Sequence, residues 1–208
     1  MKEKVLFIGA NDMREINDVK KEYSEGFFIE PIPDTFELLK ANLIKCNETF
    51  HTKFTALQYL ITSECGKEYT FHIYGRNSDH RETKYGNNGA SSSIFEKNEE
   101  NFWHDHDCNA KLKINSTTMS KVIDKHNINI KDYDVVIDTQ GSELEVLKSF
   151  GDHIKAVDKI TTEISTKSYY KGGVLFPELN SFLNENGLFT SDKLSEAHMN
   201  VTYYRKNL

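Results

Sequence analysis

Short apolar runs that stop at a glycine, a proline or a single acid recur along this chain. Residues 5–8 stop at Gly9, residues 26–29 stop at an acid and a proline, and residues 133–137 stop at Asp138. Runs of four or five apolar residues with such ends are typical of strands that are buried on both faces of a parallel sheet. We therefore expect three buried strands, each of which delivers a turn or a carboxylate to its carboxyl end.

Apolar residues at three- and four-residue spacing follow several of these strands and predict amphipathic helices. The helices expected on this basis span about residues 13–23, 34–44, 118–125, 143–150 and 177–186. Further strands are expected at about residues 54–61, 69–74, 111–114, 159–164, 188–190 and 199–205. Strands that alternate with helices predict an α/β fold, a mostly parallel sheet with helices on both faces and an antiparallel pair at one edge.

One long segment has no regular pattern. Residues 75–101 are polar, interrupted by Gly, Asn and Ser, and lack a period of either 2 or 3.6. An irregular stretch of this length inside a compact domain usually serves a function, so we expect a loop or lid that closes over a ligand.

Composition limits the classes of protein that this chain can belong to. The 208 residues suit one domain, and the formal charge of −6 argues against a dedicated binder of nucleic acid or of anionic membranes. No apolar run approaches the roughly 20 residues that span a bilayer, and the first residues lack the architecture of a signal peptide. Three cysteines without metal-ligand spacing predict reduced thiols, and hence a cytoplasmic location.

The first two predicted strands end in residues that suit a nucleoside. Gly9, Ala10 and Asn11 form the first strand-to-helix turn, where a glycine lets the backbone approach a ligand. Glu30 ends the second strand 21 residues later, the place and spacing at which an acid accepts hydrogen bonds from ribose hydroxyls. The alternative for Glu30 is a solvated carboxylate before a proline turn.

The residues around Asp138 resemble a longer signature. Asp138, Gly141, Glu143 and the pair Val146-Leu147 match the pattern D-x-x-G-x-E-x-x-V-L of FkbM-type methyltransferases. Residues 7–13 resemble the first motif of that family, D-[VI]-G-A-N-x-G. Further resemblance is found in order along the chain, at residues 29–33, 89–93, 162–164 and 170–173.

The resemblance implies a Rossmann-like class I methyltransferase that uses S-adenosylmethionine to methylate a sugar hydroxyl of a glycan or glycoconjugate, such as that of a deoxyhexose like rhamnose. The cofactor-binding residues that it implies are Gly9, Ala10, Asn11, Glu30, Pro31 and Asp138. The implied domain covers residues 1–208. Such enzymes usually carry helical sequence before the first strand, which here begins close to Met1, so excision from a longer polypeptide is also considered.

Methyl transfer from a sulfonium mainly requires alignment of the acceptor oxygen and removal of its proton. Asp138 is the first candidate for the base, and Glu163, which ends the next strand, is the second. Each has a structural alternative, since an acid at a strand tip also holds loops and caps helices. His104 is a third candidate for the base, and Ser92, Trp103 and Tyr170 are candidates for binding the sugar.

Two alternatives remain open at this stage. No metal site is predicted, although a magnesium-assisted variant that uses Asp138 and Glu163 is conceivable. Phe7 and Met13 stand where the family motif has an acid and a glycine. Both departures favour the rival hypothesis, a non-catalytic binding or scaffolding module that keeps the methyltransferase fold.

Overall fold

The computed structural model describes residues 3–76, 89–104 and 106–206. The strands are β1 Lys4–Ile8, β2 Glu25–Ile29, β3 Lys53–Leu57, β4 Leu60–Ile61, β5 Glu68–Arg76, β6 His106–Thr117, β7 Tyr133–Ile137, β8 Lys159–Ser165, β9 Leu188–Phe189 and β10 His198–Arg205. The α-helices are α1 Ile16–Glu22, α2 Pro33–Phe50, α3 Met119–His126, α4 Glu143–Ser149 and α5 Phe176–Glu185. Short 3-10 helices precede β7 and β8, at Ile130–Asp132 and Gly151–Ala156.

A seven-stranded sheet forms the centre, in the order β3-β2-β1-β7-β8-β10-β9. Strands β1, β2, β3, β7 and β8 are parallel, and β10 pairs antiparallel with both β8 and β9. The chain winds from β1 outward to β3, then returns to place β7 on the other side of β1. The crevice beyond the carboxyl ends of β1 and β7 is therefore the topological switch point, where open α/β sheets bind ligands.

Helices cover both faces of this sheet, because successive apolar side chains along its central strands point to opposite faces. Val5 points to the face that α1 and α2 cover, and Leu6 points to the opposite face, which α3, α4 and α5 cover. Tyr133, Val135 and Ile137 all lie on this second face. The predicted mostly parallel α/β sheet with an antiparallel edge pair is confirmed.

A second, three-stranded sheet departs from the prediction. Its order is β4-β6-β5, so the apolar stretch expected to be one strand at residues 54–61 divides into β3 in the large sheet and β4 in the small one. Strand β6 is 12 residues long and pairs antiparallel with β5, whereas only residues 111–114 were expected to be extended. The small sheet packs its own apolar cluster, which includes Ile32, Leu60 and Phe71, beside the carboxyl ends of the large one.

The expected lid is only partly within the described residues. Residues 77–88 lie outside them, and within the remainder residues 91–93 are packed against the protein. Ser91, Ser92 and Ser93 are all buried. Ser93 exchanges backbone hydrogen bonds with His72, and the Ser92 hydroxyl accepts one from the backbone N–H of Tyr74 at 3.1 Å. The serine cluster is thus anchored to the small sheet.

Candidate functional site

A cavity of about 510 Å³ lies at the carboxyl ends of β1, β2 and β7. This volume is within the range of small-molecule sites in proteins. The predicted residues Gly9, Ala10, Asn11, Glu30, Pro31, Ser92 and Asp138 all line it. The large sheet thus brings together candidates that are up to 129 residues apart in the sequence, since Gly9 and Asp138 both line the cavity.

Gly9 is required by the neighbouring strand. Its φ of +86° lies in the left-handed region, and a Cβ there would be 1.8 Å from the backbone oxygen of Asp138. The backbone N–H of Asp138 also donates to the Ile8 oxygen at 3.0 Å. Any other residue at position 9 would force the tips of β1 and β7 apart, so the glycine determines the shape of the crevice.

Glu30 is buried and braces the first loop. Its Oε2 accepts a hydrogen bond from the backbone N–H of Asn11 at 3.0 Å, and its Oε1 accepts one from that of Ile32 at 2.8 Å. Burial raises the pKa of Glu30 to about 7, although the two amide hydrogen bonds lower it. Glu30 is therefore not the solvated carboxylate of the alternative reading. Each oxygen retains a lone pair for a ligand.

The two departures from the family motif both face this region. Phe7 lines the cavity and stacks on Phe28, with ring centroids 6.2 Å apart. Met13 is buried beside the cavity with a φ of +49°, in the left-handed region that a glycine adopts without strain. An apolar wall therefore replaces the acid and the glycine that the family motif has at these positions.

Asp138 is one member of a carboxylate cluster in which Glu143 is buried and Asp138 and Glu163 are half-buried. The Gln140 Nε2 atom donates to Asp138 Oδ1 at 2.7 Å and to Glu163 Oε2 at 2.9 Å. Burial, and then the charge of Glu163, raise the pKa of Asp138 to about 8. Burial and the charge of Glu143 raise the pKa of Glu163 to about 8 as well. These acids are poised to hold or release protons near neutral pH.

Glu143, the acid of the D-x-x-G-x-E-x-x-V-L pattern, has a structural role in the same cluster. Its Oε1 accepts hydrogen bonds from the backbone N–H groups of Thr139 and Gly141 at 3.0 and 3.1 Å. Burial, set against these hydrogen bonds, raises its pKa to about 7. Glu143 thereby holds the turn that carries Gln140, whose own φ is +55°.

Sequence reasoning missed Gln140 and His198. Gln140 is one of the unspecified positions of the signature, and His198 opens strand β10, one residue before the predicted strand. The antiparallel register puts His198 opposite Ser165, and its Nε2 lies 2.8 Å from Glu163 Oε1. For His198 the available signal was the expected antiparallel strand at residues 199–205, which could bring residues near its start beside Glu163.

The remaining candidates have different surroundings. Tyr170 is buried, and its hydroxyl lies 2.7 Å from the Ser91 oxygen and 2.9 Å from Gln140 Oε1. Trp103 stacks on Tyr169 with centroids 5.0 Å apart, and its ring is 5.3 Å from that of His198. His104 is exposed and is not among the described residues that line the cavity. His198, which was not a candidate, is the histidine that lies beside Glu163.

In the part of the chain that the structure describes, no group of three or more His, Cys, Asp or Glu side chains is arranged to hold a metal ion. None of the described helices is long and apolar enough to cross a bilayer.

Comparison with known proteins agrees with this architecture. The model of the FkbM methyltransferase domain family matches residues 8–188, most of the chain. The structure of a methyltransferase FkbM from Methylobacillus flagellatus KT is similar over 98% of this chain, with 14% identity and a TM-score of 0.54. The chain spans 43% of the length of that protein. A search of curated proteins finds no match.

Two further solved structures are similar to this chain at lower TM-scores. An uncharacterized protein from Listeria monocytogenes serotype 4b has 8% identity over 99% of this chain and 63% of its own, with a TM-score of 0.47. The S-adenosylmethionine-dependent methyltransferase SibL in its apo form has 10% identity over 99% of this chain and 51% of its own, with a TM-score of 0.42. From the match over residues 8–188, the chain belongs to the FkbM methyltransferase domain family.

Proposed function

We propose that this FkbM-family domain transfers a methyl group from S-adenosylmethionine to a hydroxyl of a carbohydrate in a glycan or glycoconjugate, such as a deoxyhexose like rhamnose. The observation that supports this proposal is one cavity that has the Glu30 carboxylate on one side and the Asp138 carboxylate on the other. The first acid suits a nucleoside, and the second suits a hydroxyl that must lose its proton.

The residues fit such a cofactor. Glu30 has acceptor capacity left for the two ribose hydroxyls, and Asn11 and Pro31 flank it in the cavity wall. Ile61 and Phe71, from the small sheet, add an apolar surface of the kind that a purine ring packs against. S-adenosylmethionine would supply an electrophilic methyl group on a positively charged sulfur.

Asp138 is our candidate for the base. A sugar hydroxyl is a poor nucleophile at neutral pH, and a carboxylate that is buried and beside another acid binds a proton more tightly than one in water. Its raised pKa, about 8, makes it a stronger base than an ordinary aspartate. The positive sulfonium of the cofactor would favour the ionised form of Asp138, which would then accept the hydroxyl proton while the cavity holds the acceptor oxygen in line with the methyl group.

The acceptor would bind on the side of the stacked Trp103 and Tyr169 rings, since aromatic faces pack against the apolar faces of sugars. Ser92, in the cavity wall, is the other candidate for contact with the acceptor. Tyr170 would act by orienting Gln140, because it is buried and its hydroxyl lies beside that amide. Cys46, Cys65 and Cys108 are free thiols, which suits a reducing, cytoplasmic location.

The rival proposal, a non-catalytic module, is supported by one specific observation. Met13 fills space beside the cavity from a backbone conformation that favours glycine, which is expected to reduce the room for a ligand. Calorimetry with S-adenosylmethionine and with its demethylated product separates the two proposals, because a module that has lost cofactor affinity binds neither.

The catalytic proposal is tested by incubating the protein with cofactor and a panel of glycans, and measuring the mass added to each. We expect one methyl group on a hydroxyl of a carbohydrate acceptor. Binding of cofactor without methylation of any carbohydrate, but with methylation of another class of molecule, would contradict the proposed substrate.

A further inference from the structure

A histidine joins the carboxylate cluster from the antiparallel strand β10. The His198 Nε2 atom lies 2.8 Å from Glu163 Oε1, and its Nδ1 atom lies 2.7 Å from the Ser165 hydroxyl. The His198 side chain is 21% exposed, so it reaches the surface, whereas the Glu163 side chain is only 14% exposed. The imidazole is thus a connection between the buried acids and the solvent.

The acids connect this histidine to the cavity. Asp138 and Gln140 line the cavity wall, and the Gln140 amide donates one hydrogen bond to Asp138 and one to Glu163. The Asp138 and Glu163 carboxylates thus share one NH₂ group, and this proximity is also why the charge of Glu163 raises the pKa of Asp138. The Tyr170 hydroxyl beside Gln140 Oε1 keeps the amide turned so that its NH₂ group faces the carboxylates.

We propose that Asp138, Glu163 and His198 form a proton relay from the cavity to solvent, in which His198 is a positioning residue that acts through Glu163. The proposal rests on the function proposed above. The acceptor O–H bond gives its proton to Asp138 as the new O–C bond forms and the S–C bond breaks. The proton passes to Glu163 and then to His198 Nε2, and His198 releases a proton from Nδ1 toward the Ser165 hydroxyl and water.

The charged groups that face His198 favour this direction of transfer. They are Glu163 on β8, Asp138 beyond β7 and Glu143 on α4, while Trp103 and Tyr169 are neutral rings against it. Burial lowers the pKa of His198, and the charges of Asp138 and Glu143 partly oppose this effect. A protonated His198 would therefore return a proton readily to solvent, and exchange of its ring protons with water would restore the Nδ1–H tautomer before the next turnover.

The relay is tested first by His198→Gln. Glutamine can still donate a hydrogen bond to Glu163 but cannot take up a proton, so the geometry remains while the last step is lost. We expect kcat to fall by roughly a hundredfold, the KM values for cofactor and acceptor to stay within about twofold, and the pH dependence of kcat to change. His153→Gln is the matched control, because His153 pairs with the exposed Asp124 and neither is among the described residues that line the cavity, and it should leave kcat and its pH profile unchanged. An unchanged kcat and profile in His198→Gln would overturn the relay.

A second measurement does not depend on turnover. The ring resonances of His198 are titrated by NMR in the parent protein and in Asp138→Asn. Asp138 and His198 interact through the cluster, so in the parent the His198 resonances should also report the loss of the Asp138 proton near pH 8, and this second inflection should be absent in Asp138→Asn. Titration curves that coincide in the two proteins would overturn the coupling, even if His198→Gln does not fold. A parent that methylates nothing would refute the proposed function alone, whereas the two titration curves would still decide whether the cluster is coupled.

Discussion

Strand β7 has an aspartate near each of its ends, and the two are held in opposite ways. Asp134 is buried and accepts hydrogen bonds from the Lys159 ammonium at 2.9 Å and the Tyr23 hydroxyl at 3.1 Å. Asp138 has an amide and two other acids, Glu143 and Glu163, as its neighbours. At the amino end of the strand a cation faces the aspartate, whereas at the carboxyl end acids face one another and burial shifts them toward their protonated forms.

This difference indicates where the sheet carries function. A buried acid that keeps its cation costs far less free energy than one without it, whereas neighbouring acids in a desolvated site cost stability and occur most often at functional sites. In the proposed function, the positive sulfonium of the cofactor would supply a cation next to the acids at the carboxyl end of β7. The comparison can be tested at either end.

The largest expected effect is that of Asp138→Asn. The substitution keeps the shape of the side chain and removes its charge, so turnover should fall by at least about a hundredfold while the protein stays folded. Single-turnover kinetics and thermal unfolding measure the two properties. Asp134→Asn is the matched variant at the other end, and there we expect lower stability with normal turnover of the folded protein. Near-normal turnover in Asp138→Asn would transfer the role of base to Glu163.

Glu30→Ala should produce the next largest effect. Glu30 lies at the same edge as Asp138 but is held by backbone amides, and loss of a charged hydrogen-bond partner costs about 1.5–3 kcal/mol. The affinity for S-adenosylmethionine should fall by roughly ten- to a hundredfold, as measured by calorimetry. Glu30→Gln should keep part of the hydrogen bonding to the loop, so its affinity for S-adenosylmethionine should lie between those of the parent and of Glu30→Ala. Equal affinity in all three proteins would show that the ribose does not bind at Glu30.

Lys159→Met tests how much the Lys159 ammonium stabilises the protein by pairing with Asp134 at the amino end of β7. It leaves Asp134 buried without its cation, which should lower the free energy of unfolding by about 1–3 kcal/mol, with the value reduced because the Lys159 side chain is 27% exposed. Chemical denaturation measures this change. Lys155→Met is the control, since the Lys155–Asp152 pair is exposed and should contribute little to stability. Equal losses in both variants would mean that burial of the Asp134 pair is unimportant.

The smallest expected effect is on the pH dependence of stability. The folded protein holds protons on Asp138, Glu143 and Glu163 up to a pH of about 7 to 8, whereas the unfolded chain releases them near pH 4. The folded state thus binds more protons in between, so the free energy of unfolding should decrease as pH rises from about 5 to 8. Asp138→Asn should reduce this slope, as measured by denaturation at several pH values. A slope that is the same in the variant would show that Asp138 has no raised pKa.

Most of the large sheet could be predicted from local pattern. The runs in β1, β2 and β7 are apolar because both faces of these strands are covered, and a run of that kind needs no knowledge of its neighbours to be recognised. The small sheet was not predicted as such. Strand β6 is largely exposed on alternate residues and polar over much of its length, so only its middle, near Leu112 and Ile114, had a recognisable pattern.

The sequence by itself determined that two acids and one glycine would lie at the carboxyl ends of buried strands. Gly9, Glu30 and Asp138 follow apolar runs directly, and a parallel sheet brings the carboxyl ends of its strands to one edge. The tertiary structure decided which side chains surround those acids. His198 and Asp138 are 60 residues apart, and they come together only because β10 returns antiparallel beside β8 in one particular register. Since the pairing of distant strands depends on the packing of the whole sheet, no local pattern could select His198 over His104.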